Sequence, residues 1–163
     1  MKVIASIVCI TFLYGCYAKK PEQTGLEGKP LPAFNLLLTD SLTRFNTGNI
    51  PTGKPVVLFY FGPHCPYSKA QMEEIIEDMD RLKNIQFYLF TTSSFQEMKD
   101  FYEHYRLQQY QNVKVGLDYN HFFMDYYEVI GVPYMAIFGK DKRLNQAFVG
   151  EVYGKQIKKV AEK

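Results

Sequence analysis

The chain has no tryptophan, only three histidines and only three cysteines in 163 residues. So few cysteines exclude a disulfide-stapled scaffold, which needs several bridges. His104 and His121 stand alone and read as structural residues, so no metal site and no cofactor are expected. Charge is nearly balanced at a net +2, and no basic cluster stands out beyond Lys19-Lys20 and Lys158-Lys159. Nothing here favours nucleic acid as a partner. No apolar run approaches the roughly 20 residues of a membrane-spanning helix. There is no internal repeat and no sign of a second domain.

The N-terminus reads as a targeting signal. Met1-Lys2 brings one positive charge, and Val3 to Tyr14 is an apolar run of signal-core length. It closes on Leu13-Tyr14-Gly15-Cys16, which resembles the bacterial lipobox. That resemblance implies removal of residues 1–15, acyl chains on Cys16, and a domain held at a membrane surface outside the cytoplasm. An ordinary secretory signal cut near Ala18 is the other reading. Residues 16–29 are polar and turn-rich and read as a tether between lipid and domain. On the lipobox reading Cys9 leaves with the signal and Cys16 becomes a thioether. Only Cys65 then keeps a free thiol, and no intramolecular disulfide can form.

From residue 30 the pattern alternates between strands and helices. Ala33–Leu38 reads as a strand, with Thr43–Asn46 pairing to it as a hairpin. Val56–Phe61 is nearly all apolar, as a strand buried on both faces requires. From Ser68, Met72, Ile75, Ile76, Met79 and Leu82 recur at helical spacing. Ile85–Phe90 is a further strand, and Ser94-Phe-Gln-Glu97 carries a capping-box signature for a helix to Tyr105. Val113–Leu117 reads as a strand, Asn120–Tyr127 as a helix, Tyr134–Phe138 and Leu144–Val149 as a hairpin, and Lys155–Glu162 as a closing helix. Crossover units followed by an antiparallel pair predict a mixed sheet flanked by helices.

The chemistry points to Cys65. An apolar strand stops at Gly62-Pro63, and the cysteine follows at the start of a helix with Pro66 at the first helical position. Free backbone N–H groups and the helix dipole at such a place favour a thiolate. His64 adjoins it and, if protonated, adds positive charge. Ser68 stands where a second cysteine would complete C-x-x-C. Its hydroxyl can hydrogen-bond a thiolate but cannot attack sulfur. Tyr67 could pack over the site, and Lys69 reads as a solvated helix residue.

This order, with Gly-Lys-Pro-Leu-Pro-Ala-Phe34, Phe-Tyr-Phe-Gly-Pro-His-Cys65 and Gly131-Val-Pro133, resembles the thioredoxin fold over Gly28–Lys163. Among its members it is most similar to extracytoplasmic thiol-disulfide proteins of the TlpA/ResA type. The resemblance implies an α/β domain over residues 30–163 with an N-terminal β extension, a cis Val132–Pro133 bond, and a peptide groove at Val132, Pro133 and Tyr67. It departs from the family at the site itself. The family's Trp-Cys-x-x-Cys is His64-Cys65-Pro66-Tyr67-Ser68 here, and the buried acid of many thioredoxins falls at Phe59. The expected activity is monothiol exchange by Cys65, with His64 and Ser68 beside it, on disulfide- or thiol-bearing envelope proteins or small thiols. The protein is expected to be a monomer. The alternative is a polypeptide-binding module in which Cys65 is inert. A one-cysteine peroxidase would need Thr or Ser at Gly62 and Pro at Leu58. A copper chaperone of the Sco type would need a cysteine at Lys69.

Overall fold

The structure, a computed structural model, describes residues 18–163, so the segment read as a signal, residues 1–15, and the expected lipidation residue Cys16 lie outside the described residues. Seven strands form one sheet in the order β2-β1-β5-β4-β3-β6-β7. They are β1 (Asn35–Leu38), β2 (Arg44–Asn46), β3 (Val56–Tyr60), β4 (Gln86–Thr91), β5 (Val113–Leu117), β6 (Tyr134–Phe138) and β7 (Leu144–Val149). Strands β3, β4 and β5 are parallel, and the remaining neighbours pair antiparallel. Helices α1 (Pro66–Glu77), α2 (Met79–Leu82), α3 (Phe95–His104), α4 (Phe122–Tyr126) and α5 (Gly154–Ala161) complete the domain. This is the thioredoxin-like arrangement expected, with β1 and β2 as the N-terminal extension.

The continuous apolar run of β3 is explained by two cores. Successive side chains on a strand point to opposite faces. Val57 and Phe59 therefore join Met72, Ile75, Met98, Phe101 and Ile157 from α1, α3 and α5 on one face. Val56, Leu58 and Tyr60 join Phe34, Leu36, Phe123 and Tyr127 on the other. The aromatic residues are spent in these layers, with Phe61 stacked on Phe101 and Phe90 edge-on to Phe123.

Three local features differ from the sequence expectation. The helical pattern from Ser68 to Leu82 is broken at Asp78, which ends α1 and precedes α2. Its carboxylate bonds Arg81 at 2.5 Å, and it crowds Gly154 so closely that no Cβ fits there. Helix α4 is shorter than expected, because buried Asp118 takes the N–H groups of Phe122 and Phe123 and so sets its start. The segment read as a tether is laid on the domain from Lys19 onward. Glu22 donates to Ala147 at 2.8 Å, Gly28 to Leu144 at 2.8 Å, and Leu144 to Lys29 at 2.9 Å along the open edge of β7.

Candidate active site

Strand β3 delivers the chain to Gly62, and a tight turn brings Cys65 to the start of α1. The Cys65 N–H donates to the Gly62 carbonyl at 3.0 Å, and its own carbonyl takes the first helical bond, from Lys69, at 3.1 Å. Cys65 is the N-cap residue in extended conformation, Pro66 follows at the first helical position, and no side chain caps the helix. Cys65 is the free cysteine among the described residues, and it is half-buried.

The opposite wall is the loop before β6. Val132–Pro133 is cis, and the Cys65 thiol donates to the Val132 carbonyl at 3.5 Å. The two loops meet at Gly62, where a Cβ would lie 3.1 Å from Val132 Cγ2 and 3.2 Å from Cys65 Cβ. A side chain here would force one of the two loops to give by a few tenths of an ångström, so glycine suits this close approach. Pro133 is buried, Val132 half-buried and Tyr67 exposed at the rim.

Ser68 is fully buried, and its Oγ accepts from the Gly62 N–H at 3.1 Å. Among the described residues no hydrogen bond joins it to Cys65 Sγ. Its visible work is to hold the turn that carries the cysteine. His64 reaches across to α3, with Nε2 2.7 Å from Glu97 Oε1. The other oxygen of Glu97 takes the Ser94 hydroxyl at 2.7 Å and the Ser94 N–H at 2.9 Å. These contacts hold the Glu97 carboxyl at about 2, the Ser94 hydroxyl contributing most, then the Ser94 N–H, then His64. A carboxylate charged at any working pH therefore fixes the residue beside the cysteine. His64, Glu97 and Lys69 border a cleft of about 270 Å³. His104 also lines it and stacks edge-on against Tyr105, while His121 begins the turn into α4.

Sequence reasoning missed Glu97 as a site neighbour, although the capping box that positions it was legible. It also missed Gln71, which is buried and clamps Val152 through both main-chain groups, at 3.0 Å and 2.6 Å. Phe59, at the position of the family's buried acid, is fully buried among other aromatic rings.

The Redoxin family model matches residues 26–163. The chain belongs to the Redoxin family. Solved structures of similar fold include StoA from Bacillus subtilis, at 15% identity and a TM-score of 0.60 over 79% of this chain and 96% of that one. A secreted Mycobacterium tuberculosis disulfide oxidoreductase homologous to E. coli DsbE matches at 19% identity and 0.61 over 76% of this chain and 88% of that one. A peroxiredoxin-like protein from Aquifex aeolicus matches at 18% identity and 0.64 over 82% of this chain and 85% of that one. At these identities the likeness establishes the fold alone, and this redoxin's chemistry must be argued from its own site. No curated protein matches the chain.

Proposed function

We propose that this redoxin exchanges thiols and disulfides through a single sulfur, Cys65, as a lipid-anchored protein of a bacterial envelope. One observation carries the reading: a half-buried thiol at an uncapped helix start, 3.5 Å from the carbonyl that precedes cis Pro133. The step needs no second protein cysteine. The Cys65 thiolate attacks one sulfur of a substrate disulfide; a bond forms between them, the substrate's own S–S bond breaks, and its other sulfur leaves as thiolate. A low-molecular-weight or protein thiol then attacks the mixed disulfide. It is oxidised into the new S–S bond, and Cys65 is released as thiolate. When a second substrate cysteine makes that attack, the outcome is isomerisation with no net redox change. Ser68 cannot resolve the intermediate. The substrate backbone would lie along Val132 and Pro133 with Tyr67 at the rim. Residues 1–15 would be the signal, Cys16 the acylated residue and the protein a monomer.

The burial of Ser68 and its use as a turn anchor also favour a second reading, a polypeptide-binding module in which Cys65 does no chemistry. One experiment separates the two. The folded protein is mixed with a glutathionylated peptide, quenched in acid and weighed by mass spectrometry. Monothiol exchange predicts an adduct on Cys65 that persists until excess glutathione is added, and none in Cys65→Ser. An adduct that forms only after denaturation would sink the catalytic reading and leave the binding module.

A further inference from the structure

Lys19 is fixed to the domain through both of its main-chain groups. Its N–H donates to Gln156 Oε1 at 2.8 Å, and its carbonyl accepts from Gln156 Nε2 at 2.6 Å. This clamp lies at the catalytic end of the sheet. Lys19 Nζ rests against Gly150, 2.9 Å from where a Cβ would stand. The Gly150 N–H donates to the Pro133 carbonyl at 2.7 Å, and Pro133 follows the Val132 carbonyl that takes the Cys65 thiol. Lys19 also lines a cleft that runs along α1 from Ala70 to Glu77.

Cys16 is three residues before this clamp. An extended chain spans at most about 3.6 Å per residue, so Cys16 lies within about 11 Å of Lys19 whatever path the chain takes. On the acylated-Cys16 reading proposed above, the domain has no long tether on which to turn. Its end nearest Lys19 is held at the headgroups.

The surface of that end fits the location. Among the described residues the exposed large apolar side chains are Ile130 at 88%, Leu42 at 83%, Tyr67 at 63%, Tyr153 at 62% and Tyr126 at 37%. Leu42 lies on the β1–β2 turn, which β1 reaches by running antiparallel to β5, away from the catalytic end. Three of the others sit at the catalytic end: Tyr67 in the first turn of α1, Tyr126 in the helix after β5, and Ile130 just before the Val132 loop. Tyr153 lies further down the domain, since its neighbour Gly154 packs on Asp78 and bonds Glu74 towards the far end of α1. Tyrosines with an apolar body and a wet tip suit the membrane interface. Charge does not drive the contact, because Glu73, Glu74, Glu77 and Glu151 line the cleft beside Lys19 and would repel anionic lipid.

We infer that the catalytic end faces the bilayer, so that the substrates are disulfides carried at the membrane surface by anchored polypeptides. The test uses the full chain in phosphatidylcholine vesicles, with and without a Gly-Ser insertion between Tyr17 and Ala18. About 20 residues would let the domain stand off by about 25 Å. A polymer-bearing maleimide is expected to label Cys65 severalfold more slowly than a small maleimide in the native chain, independent of salt, with the insertion removing the difference. A disulfide peptide tethered close to a lipid should react about tenfold faster than the free peptide, by effective concentration, and the insertion should reduce that preference. Mass spectrometry of the mature N-terminus reads the anchor separately. An unacylated Cys16 overturns both the anchor and the orientation, whereas acylated Cys16 with equal labelling rates overturns the orientation alone. Shielding of Cys65 that appears only when envelope polypeptides are added would make the exposed residues a protein-docking patch and also overturn it.

Discussion

Position 68 decides how far the chemistry can go, and a single atom tests it. Ser68 stands three residues after Cys65 in the first turn of α1, a spacing at which helix side chains are neighbours. In Ser68→Cys the second sulfur should therefore reach the first. After treatment with glutathione disulfide the native chain should hold one glutathione, whereas Ser68→Cys should release it and lose the mass of two hydrogens. A stable adduct on the variant would mean that position 68 cannot resolve this site even with sulfur. The substitution also weakens the acceptor of the Gly62 N–H, since thiol sulfur accepts poorly, and should cost about 1 kcal/mol in stability. Glu97 offers a second residue-scale test. Its folded-state value of about 2 lies below its ordinary 4.5. A depressed carboxyl contributes stability that is complete above its unfolded value and is lost as pH falls towards its folded value. Melting temperatures of the native chain should thus fall between about pH 4.5 and pH 2 more steeply than those of Glu97→Gln. His64→Ala should keep most of that slope, because the Ser94 contacts dominate. Equal slopes in Glu97→Gln and the native chain would refute the assignment. The carboxylate is exposed, so the difference should be modest.

At the scale of elements, two side chains of α1 join it to the β7–α5 connection and the start of α5: Gln71 on Val152, and Glu74, which takes the Gly154 N–H at 2.8 Å. Gln71 is buried, and it alone meets the Val152 N–H and carbonyl. Gln71→Leu keeps the volume but orphans two buried main-chain groups, which should cost about 2–4 kcal/mol in urea unfolding. A loss under about 1 kcal/mol would mean that the loop finds other partners. Elements whose cause is local were legible in the sequence. Ser94 and Glu97 formed both bonds of the predicted capping box, and the Gly139–Lys142 turn joined the predicted hairpin. Elements ended by distant neighbours were not. The periodicity through Met79 and Leu82 continues across Asp78, because both residues do enter the same core. At the break Asp78 packs against Gly154, a neighbour far along the chain that leaves no local signal. The same holds at the site: Cys65, Pro66 and Pro133 are marked by type and context, but the pairing of His64 with Glu97 spans 33 residues and leaves no spacing to read.

For the whole molecule, the segment that composition reads as a tether, residues 16–29, matters most, because the domain holds it from Lys19 onward. Their polar, turn-rich composition reads as linker because their attachment uses main-chain groups, which leave no side-chain pattern. In the fold they and Pro30 cover the outer edge of β7, the last strand of the sheet, through bridges at Glu22–Ala147 and Pro30–Arg143 and paired bonds at Leu144. The far edge is a strand of only three residues, β2. An open strand edge presents unpaired N–H and C=O groups and invites pairing with another chain. Removing residues 1–29, the cut that composition alone suggests, should therefore uncover β7 and also delete the Lys19–Gln156 clamp. The shortened protein should sediment as dimers or larger species at micromolar concentration, while a chain beginning at Ala18 stays monomeric. Monomeric behaviour of both, with equal melting temperatures, would mean that the segment is an ornament of the domain and not part of its closure.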